Sequence, residues 1–376
     1  MVVLLLFSSV TGFLLSYITI PPIVAISNKK NLFDVPNHRK LNRIAVPTLG
    51  GMAIFFGASV SSVIFLQNEA VPVFRYLFAA SVIMLFTGLK DDMLMINPRE
   101  KLIAQSAAAL ILVLLGNFRI VHIYGIGSVF LLSDWISIPL SILIILFLIN
   151  AINLIDGIDG LAAGIGLLIS TVLGTWFYFA GHAGYAIGCM ALSGSLLAFL
   201  RFNLWSGRDK IFMGDTGSLM LGVILAAMGI RFNELNAVSA APFRFSQAPL
   251  LGLALFIVPV TDTLRVFTIR IRQKRSPFSP DMNHFHHLLI RLGLTHIQAS
   301  SFLISYTVFF TLLALTLSHF SLYITLGFIL LLSFSFSVAG LISRKSKRVE
   351  MRKVLIGRKV HLEPEDTQIK ISEVFG

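Results

Sequence analysis

The chain has 376 residues, of which 56% are hydrophobic and only 13% charged, and its mean hydropathy is +0.85. This composition excludes an ordinary soluble protein and predicts a polytopic membrane protein. A net charge of +12 could indicate a nucleic acid partner, but the basic residues follow a membrane topology instead, and no nucleic acid is expected.

Apolar runs recur along the whole chain and predict an all-α bundle of about eleven transmembrane helices. They fall near residues 2–26, 48–66, 73–89, 102–116, 135–152, 161–180, 184–202, 216–230, 248–269, 300–317 and 320–342. The first run lacks the basic segment and the cleavage site of a secretory signal, so we expect a retained span. Residues 1–342 would then form the integral membrane domain and residues 343–376 a basic cytoplasmic tail.

The basic residues are distributed unevenly between the two sets of loops. Of the 30 Lys and Arg residues, 25 fall in alternate loops or in the tail. The other five are Arg75, Arg119, Arg231, Arg244 and Arg265. The positive-inside rule therefore predicts a multi-pass protein of the inner (cytoplasmic) membrane, with its N-terminus outside and its C-terminus in the cytoplasm.

The first cytoplasmic loop, residues 27–47, is basic and leads into the sequence PTLGG at Pro47 to Gly51. The proline and the glycine pair predict an ordered turn that enters the second span. The basic residues of this loop could serve as a topological signal, bind anionic lipid headgroups or contact a ligand.

The second cytoplasmic loop begins with GLKDDMLMINPREK and contains the adjacent carboxylates Asp91 and Asp92. Such a pair can share a metal ion, hold a lysine or act in proton transfer. The alternative is a solvated helix end, which is less favourable because an aspartate at a helix C-terminus opposes the helix dipole.

The third cytoplasmic loop, NLIDGIDGLAAG, contains Asn153, Asp156 and Asp159 between two long apolar runs. Placing a charge at the centre of a membrane helix costs about 2.5–3.5 kcal/mol. We therefore predict that this loop lies at a membrane face and binds charged ligands. The alternative is that Asp159 only caps the helix that begins at Leu161, which leaves the other two polar residues without a role.

The fourth cytoplasmic loop leads into the sequence FMGDTGSLMLG, which begins at Phe212. Asp215 or Thr216 could be only the N-cap of the next span. A glycine-flanked acid at a helix start, on the same side as two other acid clusters, also suits a metal that bridges phosphates.

The fifth cytoplasmic loop contains the sequence SPDMNHFHHLLIRLG, which predicts an interfacial helix over residues 283–292. Its apolar face would comprise Phe285, Leu288, Leu289 and Leu292. Its polar, cationic face would comprise His284, His287 and Arg291. Zinc is the competing interpretation of the histidines, although no fourth ligand and no standard zinc spacing are present.

The predicted topology brings all these polar clusters to the cytoplasmic side. The acid clusters have no evident protein countercharge, which suits Mg²⁺, an ion that takes one or two carboxylates together with phosphate oxygens. The histidine and arginine face could hold the remaining negative charge of a diphosphate. Together the clusters predict chemistry on a phosphorylated, membrane-embedded substrate.

Five ordered motifs, DVPNHRK with PTLGG, GLKDDM, NLIDGIDGLAAG, FMGDTGS and NHFHH, resemble those of the polyprenyl-phosphate N-acetylhexosamine-1-phosphate transferases. The resemblance extends from about residue 34 to residue 292. It implies transfer of a sugar 1-phosphate from a UDP-sugar to a polyprenyl phosphate, with release of UMP. The histidine motif resembles the HxHH form of the branch that uses UDP-GlcNAc, and undecaprenyl phosphate is the implied acceptor in a bacterium. The product would initiate a cell-envelope glycan.

The resemblance also implies roles for single residues. Asp215 would be the main Mg²⁺ ligand and Asn153 the second, with Mn²⁺ as an alternative ion. Phe212 would stack on uracil and Asp159 would contact the edge of the uracil ring. Lys101 would bind the diphosphate.

The histidine motif would bind the diphosphate or the sugar through His284, His286 and His287. We add Arg291 to this group because the helical wheel places it on the same face as His284. In the first loop the family commonly has RKxH, where this chain has Asn42 in place of the histidine, so no specific role follows for that residue.

For Asp91, both a catalytic base and an organiser of metal or lysine fit the resemblance. The second pKa of a phosphate monoester is about 6, so the acceptor is already largely ionised near neutral pH and gains little from a base. We therefore expect Asp91 and Asp92, grouped with Asp156 as catalytic residues, mainly to position the acceptor phosphate and Lys101 for in-line attack.

Other functions remain open. The donor could be UDP-MurNAc-pentapeptide, as in the peptidoglycan-precursor translocase, or another UDP-N-acetylhexosamine. A cation-coupled transporter would also use acids near the membrane, but it predicts polar residues deep inside several spans. The expected partners are UDP-GlcNAc, undecaprenyl phosphate and membrane lipid, and a homodimer remains an open alternative.

Overall fold

The computed structural model describes most of the chain and divides it into two units, residues 1–330 and 331–376. The described residues are 1–30, 32–34, 46–66, 71–124, 129–205, 207, 209–238, 244–276 and 283–335. Within the second unit, only residues 331–335 are described, and they are helical. The motif DVPNHRK beyond its first residue, Asn42, the end of the predicted last span and the predicted tail 343–376 lie outside the described residues.

The described residues are predominantly helical. The helices are α1 Val2–Lys30, α2 Gly50–Phe65, α3 Val71–Leu94, α4 Pro98–Leu110, α5 Asp134–Ile155, α6 Leu161–Phe179, α7 Ala183–Trp205, α8 Gly214–Val238, α9 Ala248–Leu255, α10 Ile257–Arg272, α11 Phe285–Arg291, α12 His296–Thr316 and α13 Leu322–Ser335. A π-helical turn, Ile111–Leu115, continues α4, and a 3₁₀ turn, Leu317–His319, continues α12. Two antiparallel pairs of short strands, β1 Phe33–Asp34 with β2 Val46–Pro47 and β3 His122–Tyr124 with β4 Val129–Leu131, lie in the connections.

Six of the described helices, α1, α5, α6, α7, α8 and α12, are long and apolar enough to cross a membrane. A seventh span results if α9 and α10, which are bent by 72° at Phe256, are counted together. Helices α2 and α13 are apolar but shorter. The chain is therefore a helical, multi-pass membrane protein, while the number of eleven spans stays a prediction.

Small and hydroxyl-bearing residues hold the helices α1, α2 and α7 together. A Cβ atom added to Gly194 would lie 2.8 Å from the carbonyl carbon of Ser9, so the backbones of α7 and α1 approach closely. The Ser8 hydroxyl donates to the Ile187 carbonyl at 3.0 Å, and the Ser61 hydroxyl donates to the Ser8 carbonyl at 2.6 Å. Such contacts stabilise helix pairs where lipid supplies no hydrophobic driving force.

Candidate active site

The PTLGG turn and the FMGD segment form one backbone-bonded unit. The Phe212 amide donates to the Pro47 carbonyl at 2.7 Å, and the Gly50 amide donates to the Phe212 carbonyl at 3.0 Å. Gly214, with φ of 69°, begins α8 in the left-handed region that favours glycine, and a Cβ there would lie 2.6 Å from Asp92 Oδ2. The predicted ordered turn thus fixes the start of α8.

Asp92 caps the N-terminus of α8 from the neighbouring helix α3. Its Oδ1 accepts from the Asp215 amide at 2.9 Å, and its Oδ2 accepts from the Thr216 amide at 2.9 Å and the Thr216 hydroxyl at 2.6 Å. A carboxylate in this position satisfies amides that have no intrahelical partner and complements the helix dipole. The sequence did not reveal this capping role of Asp92.

Lys101 connects two further carboxylates, Asp91 and Asp215, at this end of the bundle. Its Nζ lies 2.9 Å from Asp91 Oδ2 and 3.0 Å from Asp215 Oδ2. The other oxygen of Asp91 accepts from the Ile96 amide at 2.9 Å, which fixes the carboxylate at the turn between α3 and α4. Asp91, Lys101 and Asp215 come from three different helices. The expectation that the acid clusters have no protein countercharge is wrong, because Lys101 pairs with Asp91 and Asp215.

Asn153 completes the set around Asp215. Its Nδ2 donates to Asp215 Oδ1 and, at 2.8 Å, to the Ser218 hydroxyl. Deeper in the bundle, a reciprocal amide pair joins α4 to α5: Gln105 Nε2 donates to Asn150 Oδ1 at 3.2 Å, and Asn150 Nδ2 donates to Gln105 Oε1 at 2.9 Å. This pair, which the sequence analysis missed, holds the helices that carry Lys101 and Asn153.

Asp156 lies in the aspartate loop that follows α5. Burial raises its pKa well above the ordinary value, and the negative charges of Asp215, Asp92 and Asp159 raise it further. Four carboxylates are therefore close enough to influence one another, and this concentration of negative charge favours binding of a cation.

Asp159 contacts the side chains of Lys210 and His296 rather than capping α6. The N-cap position of α6 is Gly160, and no side chain caps it. Asp159 Oδ2 lies 2.7 Å from Lys210 Nζ and 3.4 Å from His296 Nδ1. Burial alone would raise the pKa of Asp159, but the hydrogen bonds from His296 and Lys210 bring it below the ordinary value. The capping alternative for Asp159 is therefore wrong.

Phe212 and Asp159 both contact the ammonium group of Lys210. The Lys210 ammonium lies 5.7 Å from the centroid of the Phe212 ring while it binds the Asp159 carboxylate. The two residues that the resemblance assigns to uracil are therefore neighbours, joined by a lysine that the sequence analysis did not single out. A cation over an aromatic face at this distance is a favourable contact.

The histidine motif packs against the aspartate loop. Helix α11 begins at Phe285, two residues later than expected. Phe285 and Leu288 of its apolar face are buried inside the protein, whereas an interfacial helix would turn this face to lipid. The rings of His284 and His286 stack with their centroids 5.8 Å apart and an interplanar angle of 7°. A Cβ on Gly157 would lie 2.8 Å from His286 Cε1, so only glycine allows this approach.

His286 is a neutral, buried imidazole. It is 2% exposed, and its Nδ1 has no hydrogen-bond partner among the described residues. Burial, followed by the neighbouring charge of His287, lowers its pKa to about 3. The predicted cationic face of His284, His287 and Arg291 differs from the structure in part, because His284 is buried, His287 is half-buried and Arg291 is exposed.

Comparison with known proteins identifies the family of the chain. A family model described as glycosyl transferase family 4 matches residues 74–233. The decaprenyl-phosphate N-acetylglucosaminephosphotransferase of Mycobacterium tuberculosis is 30% identical over 312 residues, which are 76% of each chain. The chain belongs to glycosyl transferase family 4. Undecaprenyl-phosphate alpha-N-acetylglucosaminyl 1-phosphate transferases of Yersinia pestis and Salmonella typhi are each 27% identical over 280 and 282 residues, which are 73% of each chain.

The family 4 match contains the carboxylate site but ends before the histidine motif. Residues 74–233 include all five aspartates of the carboxylate site and the aspartate loop, together with Lys101, Asn153 and Phe212. The site contains the oxygen-bearing side chains that a divalent ion prefers, but Asp215 Oδ1 accepts from Asn153 Nδ2 and Asp215 Oδ2 accepts from Lys101 Nζ. Among the described residues, no group of three or more His, Cys, Asp or Glu side chains is arranged to hold a metal ion. Mg²⁺ usually takes one or two carboxylates together with water or phosphate oxygens, so its binding here stays a prediction.

Proposed function

We propose that this family 4 glycosyl transferase transfers GlcNAc-1-phosphate from UDP-GlcNAc to undecaprenyl phosphate. The products are undecaprenyl-diphosphate-GlcNAc, which initiates a cell-envelope glycan, and UMP. The names of the relatives support this reaction class, and their matches cover about three quarters of both chains. The observation that carries the proposal is the meeting of Lys101 with Asp91 and Asp215 beside Asn153 and Asp156.

Lys101 binds the diphosphate, and Asp91 and Asp215 orient this lysine beside the acceptor phosphate. The ammonium contacts two carboxylates at hydrogen-bonding distance, so it can exchange one of them for a phosphate oxygen without large movement. Asp91 holds Lys101, while Asp92 holds the start of α8 and thereby Asp215. Because the acceptor phosphate has a second pKa of about 6, the site needs no strong base.

Asp215 and Asn153 would hold Mg²⁺ or Mn²⁺, with Asp156 near them. When bound, the ion neutralises negative charge on the donor diphosphate and makes its β-phosphorus more susceptible to attack. The role of the protein is to fix these oxygen donors beside Lys101, so that donor and acceptor phosphates approach in line.

On the donor side, Phe212 and Asp159 bind the uracil ring, and the histidine motif binds the diphosphate or the sugar. The adjacency of Phe212, Lys210 and Asp159 supports a single base-binding pocket. The packing of His286 on Gly157, next to Asp156, supports a diphosphate position between the histidine motif and the acids. His287 and Arg291 lie on the same short helix as His286.

We further propose that the site lies at the cytoplasmic face of the inner membrane. The basic residues predict this side for all the motif loops, with eleven spans, an outside N-terminus and a cytoplasmic C-terminus. In support, the site is built from the C-terminal ends of α3 and α5 and the N-terminal ends of α4 and α8, which belong to one end of the bundle. Membrane lipid and a second copy of the chain are the remaining proposed partners.

The proposal is tested by product analysis with purified protein in detergent. UMP release is measured with Mg²⁺, UDP-GlcNAc and undecaprenyl phosphate, with and without EDTA, for the wild type and for Asp215→Ala. Asp134→Ala is the matched control, because Asp134 pairs with Arg119 at 2.7 Å at the far end of α5 from Asn153. Metal-dependent UMP release that needs both substrates and is lost only in Asp215→Ala supports the proposal.

Two other results would contradict this proposal and favour a different function. UMP release with UDP-MurNAc-pentapeptide but not with UDP-GlcNAc would assign a different donor. No nucleotide release with any UDP-sugar, from protein shown to be folded, would favour the cation-coupled transporter.

A further inference from the structure

Asp262 is a buried carboxylate in α10 that lies outside the carboxylate site. It is 1% exposed, and its Oδ2 lies 2.8 Å from His284 Nδ1. Its Oδ1 accepts from the Phe285 amide at 2.9 Å and from the Arg265 guanidinium at 2.9 Å. Burying an ion is costly unless it is paired and hydrogen-bonded. For Asp262 these partners are His284 and Phe285, at the start of the histidine motif, and Arg265, one turn away on α10.

Arg265 holds the same segment from the next turn of α10. It is 2% exposed, and it donates to the Asn283 carbonyl as well as to Asp262. Its guanidinium lies 4.5 Å from the centroid of the Phe285 ring. The pair Asp262 and Arg265 therefore contacts three consecutive residues, and these contacts fix the entry into α11.

The Asp262 carboxylate also determines which nitrogen of His284 carries a proton. A carboxylate only accepts hydrogen bonds, so the Nδ1 of His284 must be the donor. In the neutral ring, Nε2 then has a free lone pair and acts as an acceptor. An outer partner that sets the tautomer and orientation of a histidine is a recurring device at functional sites.

The orientation of His284 is transmitted to the aspartate loop through one further ring. His284 stacks on His286, and His286 packs against Gly157, the residue that follows Asp156. We infer that Asp262, supported by Arg265, is a positioning residue for the transfer reaction, because it sets the His284 ring and thereby the place of His286 against the aspartate loop. The catalytic part of this inference rests on the proposed function, whereas the anchoring of residues 283–285 does not.

The first experiment measures kinetics of the full-length protein with Asp262→Asn. Asparagine has nearly the same size as aspartate and keeps one oxygen acceptor. Its amide NH₂ would replace Oδ2, so two hydrogen-bond donors, this NH₂ and His284 Nδ1, would face each other. We expect kcat per folded protein to fall about 10- to 100-fold, as for other outer partners of site residues. His284→Asn keeps a donor toward Asp262 but removes the far ring nitrogen and the stack, and we expect a similar fall.

The double variant separates positioning from general stability. If Asp262 acts through His284, then Asp262→Asn adds little loss in the His284→Asn background. Losses that multiply, or a wild-type kcat for Asp262→Asn, would overturn the inference. The matched control is Glu234→Gln, because Glu234 is 7% exposed and accepts from His122 Nδ1 at 2.7 Å and from two backbone amides, at the opposite end of α8 from Asp215. We expect this control to leave kcat unchanged.

The second experiment tests the anchor without activity. Hydrogen exchange of a peptide that contains Phe285 is compared in the wild type, Asp262→Asn and Asp262→Ala. Faster exchange of the Phe285 amide in the alanine variant alone supports the anchor, and equal exchange in all three refutes it. A wild type that releases no UMP but shows this exchange pattern would refute the proposed function and the catalytic part of the inference, while the anchor would stand.

Discussion

The contact between Gly157 and His286 gives a sharp test of the candidate site. In Gly157→Ala, the new Cβ would lie 2.8 Å from His286 Cε1 and closer still to Nε2, whereas ordinary contacts begin at 3.4 Å. The ring must therefore move by at least about 0.6 Å at Cε1 and by more at Nε2. A misplacement of about 1 Å at a reacting centre can cost about 100-fold in rate, so we expect kcat to fall between 10- and 100-fold.

The assay for this variant is UMP release per folded protein, with folding followed by thermal unfolding in detergent. Overpacking of a buried site costs about 1–3 kcal/mol, so a moderate loss of stability is expected as well. Gly327→Ala is the matched control, because a Cβ there would meet no atom within 4 Å. A wild-type kcat for Gly157→Ala would refute the position of His286 and the proposed diphosphate site.

Three further predictions concern His286, Lys210 and the metal. The pKa of His286 is lowered from 6.5 to about 3, so between pH 3 and pH 6.5 the unfolded protein binds more protons than the folded protein. The free energy of unfolding therefore falls as the pH drops through this range. At pH 5 the loss is about 2 kcal/mol, and His286→Gln should reduce the pH dependence of unfolding; an unchanged profile would contradict it. Lys210→Ala should raise KM for UDP-GlcNAc but not for undecaprenyl phosphate, since Lys210 contacts Asp159 and Phe212; equal effects on both KM values would count against a base pocket. EDTA should abolish UMP release and either Mg²⁺ or Mn²⁺ should restore it; full activity after chelation would remove the proposed role of Asp215.

The helical architecture could be predicted from the sequence because apolar runs and helix length are local properties. The break at Phe256 could not, since residues 248–269 form one continuous apolar run and the 72° bend depends on packing. The predicted helix of the histidine motif is confirmed over Phe285–Arg291.

The residues of the site could be predicted because their motifs stand out in separate loops, but the contacts between them could not. Adjacent carboxylates at Asp91 and Asp92 indicated a functional pair, but sequence could not assign one to Lys101 and the other to the α8 N-terminus. Asp91 and Lys101 are ten positions apart, but Asp92 and the Asp215 amide that it accepts from are 123 positions apart.

His122 and Asp262 show why long-range partners of polar residues could not be predicted from the sequence. The Nδ1 of His122 lies 2.7 Å from Glu234 Oε2, and these two residues are 112 positions apart in the sequence. Asp262 lies in an apolar run, where only an acid and a base three residues apart hint at a buried pair. Neither pattern alone specifies the third partner, His284, because that contact forms only when α10 meets the start of α11.

The central claim concerns which bond of the donor is broken, and the released nucleotide tests it most directly. Purified protein is incubated with Mg²⁺, UDP-GlcNAc and undecaprenyl phosphate, and both the nucleotide and the lipid product are identified by mass spectrometry. Transfer of GlcNAc-1-phosphate predicts UMP and undecaprenyl-diphosphate-GlcNAc in equal amounts. Release of UDP with a monophosphate-linked sugar lipid, or no product from folded protein, would contradict the account.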